Sequence, residues 1–271
     1  MKKIYLVLIT LFFACSLNVA FAQVSVTATA ATLTGSYTTL KGAFDAINSG
    51  VHSGSIVINI TANTNEGVNS AVLFTGDSDP VSYTSVLIQP SVDGVSISGT
   101  PASGRGVIEI KGGDDVTING DNPNTGGINR NLTINNNAIS SVTFGSVVRL
   151  ANSTPAVSTT DNFTLKNCIL NGNVTTGNSS LITATSSSSY ASFGIYCGGG
   201  GGNNASDAPT AITNISTQNA PAGTSFANLF ISNNLINQCG RAIAINGAAF
   251  NVCNIATISN NTIGEIGRAH V

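Results

Sequence analysis

Two adjacent carboxylates, Asp114 and Asp115, follow Gly112-Gly113, and Asp121 comes six residues later. Paired carboxylates can share a proton, ligate Ca²⁺, or serve as the acid and base of glycoside hydrolysis. The same stretch is rich in turn chemistry, with Gly-Gly-Asp-Asp before Val116-Thr117-Ile118 and then Asn119-Gly120-Asp121-Asn122-Pro123. The expectation is therefore that these carboxylates shape turns. Asp77 and Asp79, with Asn63, Asn65 and Glu66 upstream, offer further oxygens for calcium but no EF-hand spacing. A surface loop accounts for them. The internal arginines are Arg105, Arg130, Arg149 and Arg241; an isolated arginine is expected in solvent. His52, in the Gly50–Gly54 turn, is the histidine a nucleophile–histidine site would have to use. It reads as a solvated turn residue. Cys168, Cys197, Cys239 and Cys253 allow three disulfide pairings. Their spacing lacks the CxxC of zinc sites, and buried free thiols are the expectation. Gly198–Gly202 lacks the Lys-Ser/Thr of a phosphate loop. No catalytic or metal set emerges, and the balance is against an enzyme.

The 271 residues are 8% charged and 42% hydrophobic, with 29 Gly and no Trp. An average chain carries roughly 25% charged residues. With 10 Lys+Arg against 12 Asp+Glu and no basic tract, nothing here fits a nucleic-acid partner. Polarity comes instead from Ser, Thr and Asn, which suits short strands joined by tight turns.

Lys2 and Lys3, the apolar run Ile4–Ala14 and Ala20-Phe21-Ala22 have the layout of a secretory signal peptide ending at residue 22, with Gln23 as the new N-terminus. The run is short for a membrane span, which needs about 20 apolar residues. An alternative reading makes Cys15 a lipidated cysteine, anchoring a lipoprotein. Cleavage at residue 22 removes Lys2 and Lys3 and takes the formal net charge from −2 to −4. At the other end, Glu265-Ile266-Gly267-Arg268-Ala269-His270-Val271 breaks the preceding pattern. Its last six residues resemble a sequencing-adapter sequence read in frame. The tail 265–271 is therefore expected to be an artefact, with the native chain continuing beyond Gly264, and Arg268 and His270 are set aside.

Leu40, Ala43, Phe44 and Ile47 recur at helical spacing before Asn48-Ser49-Gly50, which predicts a short helix. Ile56–Ile60, Val86–Ile88 and Val95–Ser98 read as strands. Glu109 and Lys111 alternate with Ile108 and Ile110, as in a strand with one wetted face. Four windows then align without gaps from Asn131, Asn162, Asn228 and Ile255: NLTINNNAI, NFTLKNCIL, NLFISNNLI and IATISNNTI. Their starts are 31, 66 and 27 residues apart, and Val116–Gly120 shares the opening of the pattern. Positions two and four alternate inward as a strand requires. The Asn at position six, Asn136, Asn167, Asn233 and Asn260, tolerates the left-handed bend. The expectation is a ladder of these four asparagines at one corner, with aliphatic rows inside. Val148 and Leu150, Ile195 and Cys197, Ile243 and Ile245 mark a second strand after each window. Ser186–Ser189 and Gly198–Gly202 read as projecting segments.

The helix over 39–48 leading into Ile56–Ile60, together with the Asn ladder, resembles secreted right-handed parallel β-helix proteins of the pectate-lyase-like superfamily, over about Gly35 to Gly264. The helix matches that family's N-terminal cap. The leader, Gln23 and the Ser/Thr/Asn bias are also similar to large surface proteins of the type IX secretion pathway. Those carry a C-terminal sorting domain, and none is legible before Gly264. The Asp pair resembles the acidic pair of polygalacturonases, but their Gly-His-Gly and Arg-x-Lys do not occur, nor does any pectate-lyase motif surround the arginines.

The expectation is thus an all-β, right-handed parallel β-helix solenoid with a short N-terminal capping helix: signal peptide 1–22, mature N-terminal segment 23–34, β-helix 35–264 and tail 265–271. It would be an extracellular, non-catalytic segment of a secreted or surface protein, with a structural, adhesive or glycan-contacting role. The alternative is a polysaccharide lyase or glycoside hydrolase using Asp114, Asp115 or Asp121, with Ca²⁺ as the cofactor it would take. Partners would be glycans or cell-surface components, with no transmembrane span after leader removal. An uncovered final strand edge would make the expressed fragment aggregation-prone.

Overall fold

The computed structural model describes residues 22–139, 142–152, 160–174, 192–198, 208–213, 226–246 and 254–264. Residues 1–21, with Cys15, the Ser186–Ser189 segment, most of Gly198–Gly202, Cys253 and residues 265–271 lie outside them.

Alternation of aliphatic and polar residues favours strands that bury one face, and the described chain is mostly strand. It opens with β1 (Val24–Ala31), β2 (Thr34–Tyr37), the helix α1 (Leu40–Asn48) and β3 (His52–Ile60). There follow β4 (Thr64–Asn65), β5 (Ala71–Phe74), β6 (Tyr83–Pro90), β7 (Val95–Gly99), β8 (Gly106–Lys111), β9 (Val116–Asn119), β10 (Leu132–Asn136) and β11 (Gly145–Ala151). Then come β12 (Thr160–Asp161), β13 (Thr164–Lys166), β14 (Cys168–Asn171), β15 (Ser192–Cys197), β16 (Phe226–Ser232), β17 (Leu235–Asn237), β18 (Arg241–Ile245), β19 (Asn254–Ser259) and β20 (Thr262–Ile263). From β3 onward the chain visits three sheets in a repeating order. The first holds β3, β6, β9, β13, β16 and β19, with the short β12 also pairing β16; the second β4, β7, β10, β14, β17 and β20; the third β5, β8, β11, β15 and β18. Neighbours within each of these series pair in parallel. The fold is all-β with parallel sheets.

Register aligns the aliphatic side chains from round to round. On the first sheet the row is Ile58, Ile88, Ile118, Leu165, Ile231 and Ile258. On the second it is Ile97, Ile134, Leu170, Ile236 and Ile263. On the third it is Leu73, Ile110, Leu150, Cys197 and Ile245. Members of all three rows belong to one apolar cluster. The expected second-strand pairs are here as well: Val148, Ile195 and Ile243 lie side by side.

At the start, segment 23–34 is not separate. It contributes β1, which pairs antiparallel with β3, while β2 pairs antiparallel with β1. Leu40, Ala43, Phe44 and Ile47 of α1 are all buried. Three of the helix's first N–H groups, which have no partner within the helix, are taken by side chains. Thr39 Oγ1 accepts from Gly42 N (3.0 Å). Glu66 Oε1 accepts from Leu40 N (3.0 Å) and Oε2 from Lys41 N (2.7 Å). Asn48, at the other end of α1, covers the edge strand β5: its Nδ2 donates to Val72 O (2.8 Å) and its Oδ1 accepts from Phe74 N (3.0 Å). His52 is not the solvated turn residue expected. It is fully buried in β3 between Tyr37 Oη (2.6 Å) and Thr32 O (2.6 Å), because the β1–β2 hairpin folds over it. Among the described residues no helix is long and apolar enough to cross a membrane.

Glu66→Ala leaves one buried and one half-buried N–H group without their acceptor and should cost about 1–3 kcal/mol, against about 1 kcal/mol for Thr39→Ala. Urea denaturation of the two variants checks the order; a Glu66→Ala loss smaller than that of Thr39→Ala would remove Glu66 as the main anchor of α1.

Candidate functional site

The left-handed backbone at Asp115, Asn162 and Asn228 (φ 54°, 55° and 53°) turns the chain into the first-sheet strands. Asn and Asp adopt that region at lower cost than most residues. Their side chains form a ladder: Asn162 Nδ2 donates to Asp115 Oδ1 (3.1 Å), and Asn228 Nδ2 to Asn162 Oδ1 (2.9 Å). Beside it, Asp114 Oδ1 accepts from Asp161 N (2.7 Å) and Asp161 Oδ1 accepts from Ala227 N (2.9 Å). Burial pushes the Asp114 carboxyl up to about 6, with the carboxylates of Asp161, Asp77 and Asp115 adding to it and the Asp161 N–H working against it. Asp121 is not part of this group. It lies past the far end of β9, roughly 13 Å of strand away, where its Oδ1 accepts from Asn129 N (2.8 Å). The structure thus brings Asp114 and Asp115 to one corner and leaves Asp121 at another. Asp77 stands near the corner, whereas Asn63 and Asn65 accept from Ser96 N and Gly67 N. Among the described residues no three His, Cys, Asp or Glu side chains converge as metal ligands.

At the opposite end of the first-sheet strands, Asn167, Asn233 and Asn260 all have left-handed φ (59°, 54° and 54°). Asn233 Nδ2 donates to Asn167 Oδ1 (2.8 Å), and Asn167 Nδ2 to Asn119 Oδ1 (2.8 Å). Arg130 lies against this ladder, its Nε and Nη2 donating to Asn233 O (2.7 Å) and Oδ1 (2.9 Å). Asn136 is not on this ladder. It ends β10 on the second sheet, opposite Gly99, and its Oδ1 accepts from Ala138 N (3.0 Å). Aliphatic-x-aliphatic-x-Asn closes strands on both sheets, so pattern alone merges them. The true neighbour of Thr164–Lys166 is Thr117–Asn119. Gly120 then faces Asn167, whose carbonyl oxygen would be 2.0 Å from an added Cβ. A further ladder runs on the second sheet through Asn135, Asn171 and Asn237 (2.9 and 3.2 Å).

The third sheet differs from the expectation more sharply. Glu109, Lys111 and Arg149 are fully buried, so neither the wetted face nor the solvated Arg149 holds. Arg105 grips Glu109 through Nε (3.0 and 3.1 Å) and Nη2 (2.5 Å). Gly106 N adds a bond to Glu109 Oε1 (2.8 Å), and Arg149 Nη1 lies 3.5 Å from that oxygen. Arg149 also holds two carbonyls, Gly104 O (3.1 Å) and Thr210 O (2.6 Å), while its Nε has no partner. Burial lowers the Arg149 pKa against the pull of Glu109. For Arg105 burial also works against the charge, but the bonds to Glu109 outweigh it and the pKa rises. The cover over this face is the segment 208–213. Ile212 N donates to Gly104 O (3.0 Å), and Ile212 packs with Phe144, Phe193 and Tyr196. Gly104 has φ +76°, and a Cβ there would sit 2.4 Å from Ile212 backbone atoms. Beside the face opens a cavity of about 550 Å³ lined by Lys41, Asp45, Asn48, Phe74 and Arg105 among others. It offers amide, carboxylate, ammonium and guanidinium groups with one ring, a mixture suited to holding a polar ligand. The sequence signal for the network is Arg149 inside Val147-Val148-Arg149-Leu150-Ala151.

Cys168, Cys197 and Cys239 are buried free thiols; burial pushes Cys168 and Cys239 up to about 12, which keeps them protonated and unreactive. Comparison with family models, curated proteins and solved structures finds no match.

Two outcomes follow. Asp114 has its folded-state pKa raised above the unfolded value, so the folded state holds its proton more tightly. Stability from this group is greatest at low pH and is lost as pH rises from about 4 through about 6. The melting-temperature difference between Asp114→Asn and wild type should therefore move in the variant's favour across that window and level off above it; a pH-independent difference would overturn this. Glu109→Ala leaves Arg149 and Arg105 uncompensated and should cost about 3–5 kcal/mol in denaturant unfolding, whereas Asp115→Asn should cost under about 1 kcal/mol.

Proposed function

We propose that this chain is a segment of a secreted or surface-displayed right-handed parallel β-helix protein, of the pectate-lyase-like kind, with a structural, adhesive or glycan-contacting role in place of catalysis. The three-sheet visiting order, repeated in parallel register, supports the solenoid. The leader-like residues Lys2, Lys3, Ile4–Ala14 and Ala20-Phe21-Ala22 support export, with lipid attachment at Cys15 as the alternative anchor. The observation that carries the role is the state of the candidate carboxylates. Asp114, Asp115 and Asp121 each accept hydrogen bonds that hold a corner or loop, and Asp121 is too far from the pair to act across one glycosidic bond, where carboxyl groups stand about 5–10 Å apart. Glycan contact falls to the cavity beside α1, where Asn48, Asp45 and Arg105 can meet hydroxyl groups and Phe74 a sugar face.

A second reading has one observation in its favour. The Asp114 carboxyl, at about 6, has the proton affinity of a general acid. Affinity electrophoresis against a panel of neutral and acidic polysaccharides, followed by product analysis, separates the two. The expected result is retarded migration that weakens in Arg105→Ala and Phe74→Ala, with the polysaccharides left intact. Shortened or unsaturated products that vanish in Asp114→Asn would establish the enzyme instead.

A further inference from the structure

The cover over the third sheet is held as a ligand is held. Residues 208–213, Ala-Pro-Thr-Ala-Ile-Thr, belong to no helix or strand. Pro209 and Ile212 are buried, Ala211 is half-buried, and Ala208, Thr210 and Thr213 are exposed. Burial at every third residue, beginning with a proline, is the period of a polyproline II segment. A strand would alternate by two. Ile212 packs with Phe144, Phe193 and Tyr196 in a cluster apart from the main core. The rings of Phe193 and Tyr196 stand 4.8 Å apart, tilted by 49°. The main chain of the segment is gripped twice: Arg149 Nη2 donates to Thr210 O (2.6 Å), and Ile212 N donates to Gly104 O (3.0 Å). Aromatic-lined grooves with donors for free carbonyls are recurring receptors for polyproline II segments, whose backbone makes no internal bonds.

Two features of this groove are costly beneath a permanent cover. Phe144 has φ 55°, a region that the other left-handed non-glycine residues described here fill mostly with Asn or Asp. Backbone preference opposes an aromatic residue there, yet its ring packs with Ile212. The floor carries Glu109 and Arg149, both fully buried, and Arg149 Nε has no acceptor. A fixed cover rests at lower cost on apolar residues. A charged floor is one that water can occupy whenever the cover is away.

We infer that this groove is a docking site for a proline-bearing segment of another polypeptide, of pattern Pro-x-x-aliphatic, and that residues 208–213 fill it in cis as a stand-in. The proline sets the period, the aliphatic side chain enters among Phe144, Phe193 and Tyr196, and Arg149 takes a carbonyl between the two. A second copy of this chain brings the identical segment and leaves Arg149 Nε as it is. A foreign segment that adds an acceptor for Nε gains an interaction that residues 208–213 lack. The inference is independent of any glycan contact in the cavity beside α1.

The test uses the full chain and a fluorescein-labelled peptide with the sequence of residues 208–213, followed by fluorescence anisotropy. Ile212→Asp in the chain withdraws the anchor of the stand-in. The peptide should bind this variant saturably, and wild type about tenfold or more weakly, because there the tethered segment competes. Ile212→Ala is the second variant for the same comparison. A peptide of scrambled order should not bind. Asp placed in turn at positions 208, 210, 211 and 213 of the peptide should tighten binding about tenfold or more at one of them, by giving Arg149 Nε its acceptor. Three results would overturn the inference: folded pocket variants that ignore the peptide, equal binding of the scrambled peptide, or four Asp peptides that all bind no tighter than the parent. A wild-type dimer that the peptide dissociates would make a second copy the occupant and remove the foreign partner. If neither variant keeps the wild-type circular dichroism, the segment is a fixed part of the fold and the stand-in reading falls with it.

Discussion

Successive rounds are held by parallel backbone pairing, and that pairing demands that the same kind of side chain arrive at the same place each time. A slip of one residue would turn every inward aliphatic outward. Ile58, Ile88, Ile118, Leu165, Ile231 and Ile258 meet this demand on one sheet although the chain between them varies greatly in length. The variable lengths are absorbed outside the strands, where loop closure costs grow slowly with length. What cannot vary is where the chain bends. That explains the left-handed residues at both ends of the first-sheet strands: Asp115, Asn162 and Asn228 on entry, Asn167, Asn233 and Asn260 on exit.

Asn serves these bends for two reasons at once. It tolerates the left-handed backbone, and its carboxamide carries both a donor and an acceptor, so identical residues can bond in series. The bonds of the outer ladders run one way, each later Nδ2 donating to the earlier Oδ1, as from Asn233 to Asn167 to Asn119. Asp115 can only begin such a series, because a carboxylate accepts without donating. It does so, receiving Asn162. The Asp-Asp pair that invites a catalytic reading is in this light the first rung of one ladder and a backbone acceptor next to it. Cys168 marks a comparable start: where later rounds have the inward Asn234 and Asn261, it supplies only its backbone N–H, which Asn234 accepts.

Local patterns made the helix, the strands and the third-sheet pairs Val148, Ile195 and Ile243 legible in the sequence, since each depends on neighbours a few residues away. The four-Asn ladder was legible in kind and wrong in one member. Asn136 and Asn167 share a strand-end motif, and only long-range register places one on the second sheet and the other on the first. The short Val116–Gly120 segment was the proper relative, and the spacing of Ile58, Ile88 and Ile118 leads to it. His52 and the Glu109–Arg149 pair were illegible for another reason. Their burial is caused by residues distant in the chain, Tyr37 and Thr32 for the first and the segment around Thr210 and Ile212 for the second.

The third sheet is where the molecule departs from what stacking alone requires. On the second sheet the outward row Ser98, Asn135, Asn171, Asn237 is polar, half-exposed and repetitive. The corresponding row on the third sheet is Val72, Glu109, Arg149, Tyr196, Ala244, with no two residues alike. Three of its members are fully buried beneath a covering segment. Burying charge costs far more than leaving Ser or Asn in water, and the pairing of Glu109 with two arginines offsets that cost without adding to stability over an apolar face. Local rules broken at such a cost tend to mark places where structure answers to something other than folding. Arg105 joins the buried pair to the cavity wall: the guanidinium that neutralises Glu109 belongs to one of the residues lining that space.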